Sequence, residues 1–405
     1  MTHDYNETQT IMCLNLLANI SSLYNGEARM IEEKTYKMLG LIFNDPEVKK
    51  LIGEWELVWG PGVFQHTTFR TNRQAVADNT LYVVESKSDQ SYVAAVAGTV
   101  DASTYDWLVE DLDFKLVYWY LREDVEHKKN WPRFANGIKT GLKNLYELRP
   151  GVGPNKDKTL SQFFTQKLKE TGGNDLKLNI TTTGHSLGGS LSPALALWLK
   201  DTQKDYSDFE QNKQKGWNPY HVKYDVPIST ISSAGVTFGD EFMQKYISNR
   251  LQPNNITRIW NNLDLVPNLW CDFRSYIKNF KNYKDIYGTL EWIAVVYKML
   301  QEINIPPLDD IKHYRHIEDK QEAHKLKGTL QDKPMKDFEE LMLEITYQHV
   351  DEYVRLLKLE EIMRIVEKIL KKDDPRYTDF RFSDLWQFLP RISDARRASL
   401  RSATS

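Results

Sequence analysis

The run Thr181-Thr182-Thr183-Gly184-His185-Ser186-Leu187-Gly188-Gly189 constrains this chain more than any other segment. It follows the alternating stretch Leu176-Lys177-Leu178-Asn179-Ile180 and leads into an apolar stretch from Leu191 to Lys200. Alternation predicts a strand, and the apolar run Pro193-Ala194-Leu195-Ala196-Leu197-Trp198-Leu199 predicts a helix packed under a sheet. A strand that reverses into a helix through Gly-x-Ser-x-Gly needs glycines where the backbone folds back on itself. The serine hydroxyl is then left standing above the sheet. The backbone N–H of the next residue, Leu187, faces the place where an oxyanion would develop. A bare Gly-x-Ser-x-Gly arises by chance roughly one time in ten at this length, so the flanking strand and helix carry the reading.

The rest of the composition narrows the function classes. With 405 residues, 41% of them hydrophobic, the chain can bury a large core as one α/β domain or as a domain with a cap. Its 53 basic and 56 acidic residues give a formal charge of -3, which offers no electrostatic footprint for nucleic acid. The two cysteines, Cys13 and Cys271, form no disulfide framework. The N-terminus lacks a basic region, and the apolar stretch from Ile11 to Ile20, interrupted by Cys13, Asn15 and Asn19, reads as one face of a helix. A cytoplasmic location is the expectation, although export by a signal-independent route would leave no mark in such a sequence. The nearest approach to a membrane span, Leu290 to Leu300, is short and carries Glu291 and Lys298. No transmembrane segment is expected.

Residues 8 to 43 show helical periodicity, and Pro46 is placed to open a further helix to Ile52. Trp55–Trp59, Thr80–Glu85 and Tyr92–Ala97 read as strands, the last two joined by a polar hairpin loop. After the serine turn, Asp225–Ser233 reads as a strand followed by a helix to about Ser248, and Ile256–Asn262 as another strand. Such alternation predicts an α/β fold with a mainly parallel central sheet and helices on both faces. The expected organisation is residues 1–52 as N-terminal helices on the core and 53–356 as the core itself. A helical insertion is expected at about 269–344, with a C-terminal helix and tail over 357–405. The basic tail after Arg396 reads as frayed.

A serine hydroxyl is unreactive at neutral pH without an imidazole to take its proton and a carboxylate to orient that imidazole. On an α/β-hydrolase sheet, Asp or Glu and then His follow the serine, each near the C-terminal end of a strand. Asp264 lies just beyond the apolar strand 256–260, whereas Asp225 precedes its strand and Asp240 follows a glycine turn. His3, His66, His127 and His185 precede the serine, and His221 is also out of order. His313, His316 and His324 fall in a charged segment that reads as a solvated helix, where the His313-x-x-His316 spacing lacks a third metal ligand. His349, ahead of an apolar-periodic helix, is left as the base. The turn Gly98-Thr99 at the end of an early strand reads either as a simple strand-end glycine turn or as an oxyanion loop, with Thr99 as the candidate second donor beside Leu187.

These pieces resemble the class 3, or filamentous-fungal-type, lipase family of α/β-hydrolases over about residues 55 to 356. The resemblance is carried by Val96-Ala97-Gly98-Thr99 followed by Asp106-Trp107-Leu108 and Asp111, by Phe134-Ala135-Asn136-Gly137, by Ile180 to Gly189, by Asn261 to Pro267, and by Gln348-His349. It implies Ser186 as nucleophile, Asp264 as orienting acid and His349 as general base, with Thr99 and Leu187 forming the oxyanion hole. Neither a metal nor a cofactor is implied. The family usually has arginine before Gly-Thr, where this chain has Ala97, so whatever that arginine braces must be held otherwise. The stretch between Asp264 and His349 is also longer than is usual for the family.

The resemblance implies a carboxylic-ester hydrolase acting on lipid esters such as acylglycerols, at a membrane or oil–water interface. A phospholipase A1 or galactolipase would use the same residues with a different pocket. A lipid-binding or interaction module without chemistry is the reading from another class, and the joint presence of serine, acid, base and oxyanion donors weighs against it. Two segments are candidate lids, Phe114–Leu121 and the aromatic stretch around Leu290–Leu300, and core packing is the equal alternative for both.

Overall fold

The computed structural model describes residues 3–65, 77–98, 113–119, 130–170, 178–208, 210–268, 271, 313–317, 324–330, 338–379 and 381. Helix α1 (Glu7–Leu17) opens on a capping box, in which Asn6 and Gln9 satisfy each other's backbone N–H groups. It tightens into a 3-10 turn, Ala18–Leu23, and is followed by α2 (Ala28–Asn44). Asp45 then caps α3 (Pro46–Ile52), its side chain accepting the N–H groups of Glu47 and Val48. The expected amphipathic face on the first helix is not what forms. Every residue from Thr10 to Ile20 is buried, so α1 is an interior helix whose polar residues are enclosed with its apolar ones.

Strands β1 (Trp55–Phe64), β2 (Asn79–Ser86) and β3 (Ser91–Val96) form the antiparallel opening of the sheet. There follow β4 (Leu116–Tyr118), β5 (Arg133–Ala135), α4 (Asn136–Glu147), α5 (Leu160–Glu170), β6 (Asn179–His185) and α6 (Leu187–Asp201). A two-strand ribbon of β7 (Tyr206–Ser207) and β8 (Lys213–Gln214) precedes β9 (Ile228–Ser233), β10 (Gly239–Asp240), α7 (Glu241–Leu251) and β11 (Ile256–Asn261). The chain continues through β12 (Tyr314–Arg315), β13 (Lys325–Leu326), α8 (Phe338–His349), α9 (Asp351–Leu356) and α10 (Glu360–Asp373).

The main sheet runs β1-β2-β3-β6-β9-β11-β13, and from β3 onward every pairing is parallel. Parallel strands need cover on both faces. Helix α6 packs on β6 and β9, and α1 packs on β6 and β3. This is the α/β architecture expected from the sequence, with β6 and its serine turn near the middle.

Two expectations meet a different structure. Residues 313–317 and 324–326 do not form a solvated helix: β12 pairs with β10, burying Tyr314, and β13 extends the parallel sheet beside β11. Two-residue strands are too short to show alternation, so the charges of this segment hid its pairing. His313 is exposed, whereas His316 is half-buried with Nδ1 2.9 Å from Thr237 Oγ1. Burial, aided by the Arg258 guanidinium, holds His316 well below its ordinary pKa. The candidate lid at Phe114–Leu121 contributes residues 116–118 to a small sheet ordered β12-β10-β5-β4. Its Trp119 is fully buried and donates Nε1–H to Asp201 at 2.9 Å. Residues 120 and 121 lie outside the described residues, as do the second lid candidate at 290–300 and most of the 269–344 insertion. Both cysteines are free, Cys13 buried and Cys271 half-buried. Among the described residues no helix is long and apolar enough to cross a membrane.

Asp201, the last residue of α6, ties that small sheet to α7. Besides Trp119, it accepts from Tyr246 Oη at 2.8 Å and pairs with Arg250 Nε at 2.5 Å. Asp201→Ala would leave the buried Trp119 indole, the half-buried Tyr246 hydroxyl and the Arg250 guanidinium without this acceptor, at a cost of roughly 3 kcal/mol. Chemical denaturation should show a loss of that order, with Asp201→Asn falling between the two.

Candidate active site

At the end of β6 the backbone turns so sharply that only glycine fits on either side of the serine. A Cβ at Gly184 would sit 2.1 Å from the carbonyl oxygen of Gly188, and one at Gly188 would sit 2.4 Å from that of Val96. Between them Ser186 takes φ 58° and ψ -124°, a strained conformation for a residue with a side chain. Its N–H is held by Ser233 O at 3.1 Å, which fixes the turn against β9. Leu187 is the first residue of α6, so its N–H lies among those left without an intrahelical acceptor. The expected strand-to-helix elbow is therefore present, with Ser186 fully buried at its apex. Its Oγ makes no hydrogen bond among the described residues.

Asp264 and His349, distant in sequence, meet in the interior. His349 Nδ1 lies 2.8 Å from Asp264 Oδ2, and both side chains have no solvent exposure. With Nδ1–H given to the carboxylate, the imidazole presents Nε2 for chemistry. Two further bonds hold the carboxylate: Val266 N–H reaches Oδ1 at 3.0 Å, and Tyr353 Oη donates to Oδ2 at 2.9 Å. Tyr353 Oη in turn accepts the N–H of Asn261 at 2.9 Å. Burial, and then the neighbouring Asp264, push the Tyr353 phenol well above its ordinary pKa, so it stays a donor.

A second clamp joins the same two segments. Asn261 Nδ2 donates to both the backbone oxygen and Oε1 of Gln348, at 2.9 and 2.8 Å. The residue before His349 is thus tied to the end of β11, three positions ahead of Asp264. Gln348 Nε2 continues the network to Thr329 O and to Glu344.

His185, set aside in the sequence because it precedes the serine, links the elbow to His349. Its Nε2 lies 2.7 Å from the carbonyl oxygen of His349 and its Nδ1 2.9 Å from Ser233 Oγ. A carbonyl only accepts, so Nε2 carries the hydrogen and Nδ1 accepts from the Ser233 hydroxyl. His349 is the last residue of α8, and its carbonyl is one of those a helix end leaves without a partner. The His185 ring packs 4.9 Å from that of His349 and edge-on to Tyr353 at 5.1 Å.

The structure therefore brings Ser186 with Leu187, and Asp264 with His349, and joins the two pairs through His185. Thr99 lies outside the described residues. Its neighbour Gly98 is described, and the Gly98 N–H is held by Asn19 Oδ1 at 2.8 Å. Tyr353, His185, Asn15 and Asn19 were not identified from sequence. Tyr353 offered one usable signal, its spacing four residues beyond His349.

Burial, followed by the influence of His349, holds His185 well below its ordinary value of 6.5. A histidine whose folded pKa is depressed binds its proton more readily when unfolded. Its contribution to stability is therefore present above that ordinary value and is lost as pH falls below it. Protonation would also turn Nδ1 into a donor facing Ser233. The groups around the ring are His349 and Tyr353, with Asp264 beyond them. Thermal unfolding followed from pH 7.5 downward should show the wild type losing stability more steeply below about pH 6.5 than His185→Gln, which has no proton to gain.

Residues 93–273 match the model of the class 3 lipase family. No curated protein matches the chain. Among solved structures, that of M37 lipase aligns over 99% of this chain and 99% of its own, at 27% identity and a TM-score of 0.65. Rhizomucor miehei triacylglyceride lipase aligns over 65% of this chain and 76% of its own, at 15% identity and a TM-score of 0.38. A triacylglycerol lipase from Penicillium expansum does so over 67% and 75%, at 13% and 0.38. The elbow, the parallel sheet and the family match all fall on the same segment, so residues 93–273 are similar in sequence to the class 3 lipases and the whole chain is similar in fold to M37 lipase.

Proposed function

We propose that this protein is a serine carboxylic-ester hydrolase acting on lipid esters of the acylglycerol type, with Ser186, Asp264 and His349 as its catalytic triad. The observation that carries the reading is the fully buried Asp264–His349 pair, joined through His185 to an elbow serine in strained backbone geometry. Burying a carboxylate and an imidazole is costly, and a chain that only needed to fold would fill this space better with apolar side chains.

In this mechanism His349 Nε2 takes the Ser186 hydroxyl proton as Oγ attacks the ester carbonyl, and Asp264 stabilises the imidazolium that results. The tetrahedral oxyanion is received by the N–H of Leu187 and by Thr99. His349 then returns the proton to the departing alcohol, leaving an acyl group on Ser186. Water, deprotonated by the same imidazole, attacks that acyl-enzyme and releases the fatty acid. No metal or cofactor takes part. Phospholipase A1 and galactolipase activities would run on the same residues and would differ in what the acyl and head-group pocket admits.

Hydrolysis of esters from soluble short-chain to emulsified long-chain acyl groups, including a phospholipid and a galactolipid, tests the proposal. Ser186→Ala should abolish turnover, and His349→Ala should reduce kcat by several orders of magnitude, on the order of 10⁴-fold. His313→Ala, at an exposed position, should leave it unchanged. Full activity in Ser186→Ala, or loss in His313→Ala with retention in His349→Ala, would overturn the assignment.

A further inference from the structure

Asn15 and Asn19 are four residues apart, one in α1 and the other in the 3-10 turn that continues it, and each is only 1% exposed. Their neighbours in sequence are apolar and equally buried: Met12, Leu14, Leu16, Leu17 and Ile20. Two primary amides enclosed in such surroundings are expensive unless fully bonded. They are not fully bonded, since Asn15 Oδ1 and Asn19 Nδ2 have no hydrogen-bond partner among the described residues. Folding alone would be served better by leucine or methionine at either position.

The amide atoms that are used both reach toward the proposed site. Asn19 Oδ1 accepts the N–H of Gly98 at 2.8 Å, which fixes the Ala97–Gly98 peptide immediately before Thr99. Asn15 Nδ2 donates to Ser233 Oγ at 3.1 Å and makes a longer contact with Met12 Sδ at 3.7 Å. Because the tautomer of His185 is set by the His349 carbonyl, every donor in the chain points the same way. Asn15 donates to Ser233, Ser233 to His185 Nδ1, and His185 Nε2 to His349 O. Bonds aligned in series reinforce one another and resist reorientation of any member. Ser233 also holds the Ser186 N–H through its own backbone oxygen. One end of the N-terminal helix thus touches the support of the nucleophile, of the base and of the oxyanion loop.

We propose that Asn15 and Asn19 are positioning residues for ester cleavage: Asn15 fixes the His349 main chain through Ser233 and His185, and Asn19 fixes the Ala97–Gly98 start of the loop that carries Thr99. The inference rests on the hydrolase reading above. It also accounts for Ala97, where the family usually has arginine, because the start of this loop is held from the N-terminal helix. Neither asparagine touches substrate, so their loss acts on the geometry of the transition state and leaves substrate binding in place.

The test compares the wild type with Asn15→Leu, Asn19→Leu and Ser233→Ala in the full chain, using p-nitrophenyl butyrate as probe. Thermal unfolding and the rate of fluorophosphonate labelling are recorded beside kcat and KM. Misplacement of reacting groups by a fraction of an ångström to 1 Å should lower kcat and the labelling rate roughly ten- to a hundredfold, with KM changed less than about twofold. Asn15→Leu should unfold at the wild-type temperature or higher, having removed an unbonded buried oxygen. If Asn15→Leu does not fold, Ser233→Ala breaks the same chain by loss of a single oxygen and is read in its place. Asn15→Leu combined with Ser233→Ala should cost little more in kcat than either alone, because both sit on one path. A folded Asn15→Leu or Ser233→Ala with wild-type kcat overturns the role of Asn15, and a folded Asn19→Leu with wild-type kcat overturns that of Asn19. In either case Ser186-dependent turnover by the wild type keeps the hydrolase reading intact. A wild type without such turnover removes the hydrolase reading and this inference together.

Discussion

A carboxylate with no access to water, Asp264, sets the terms for the surrounding structure. Its charge can be kept only if every lone pair facing the interior finds a donor, and three elements supply them: its own loop through Val266, α8 through His349, and α9 through Tyr353. Tyr353 cannot serve unless Asn261 places its backbone N–H on the phenol, and Asn261 is also the residue that grips Gln348. The end of β11 and the helix pair α8–α9 are therefore locked together by polar bonds around one buried charge. The imidazole orientation follows from that lock.

From His349 the same logic runs backward to the elbow. A helix that ends on its functional residue leaves a bare carbonyl there, and the residue that caps it is the one beside the nucleophile. His185 is useful in this place because it is neutral, with one nitrogen donating and the other accepting. The strain at Ser186 is sustained by contacts around it: two glycines with no room for a side chain, a backbone bond to Ser233, and helix α6 seated against β6 and β9. Strain of this kind persists only where the neighbours over-determine it.

The elbow was legible from sequence because its glycines, serine, preceding alternation and following apolar helix are all local. Asp264 was legible from its position past an apolar strand, and His349 from chain order. What escaped was polar structure whose partners are far away in sequence. Asn15 and Asn19 look in sequence like breaks in an apolar face, and only the enclosure of α1 shows that both are interior. His185 was set aside by an ordering rule that concerns the base and is silent on the residue that holds the base. The segment from His313 to Leu326 carried the charges of a surface helix, yet two short strands within it complete one sheet and extend the other. Phe114–Leu121 read equally as a lid or as core, and its Trp119, anchored on Asp201, is core.

The central claim is that Ser186 is a nucleophile activated by the buried Asp264–His349 pair. Mass spectrometry of the intact protein and its peptides after brief exposure to a fluorophosphonate ester tests it most directly. The account predicts one adduct, on Ser186, formed rapidly in the wild type, absent from Ser186→Ala and greatly slowed in His349→Ala. An adduct on another residue, or equal labelling rates in wild type and folded His349→Ala, would contradict it.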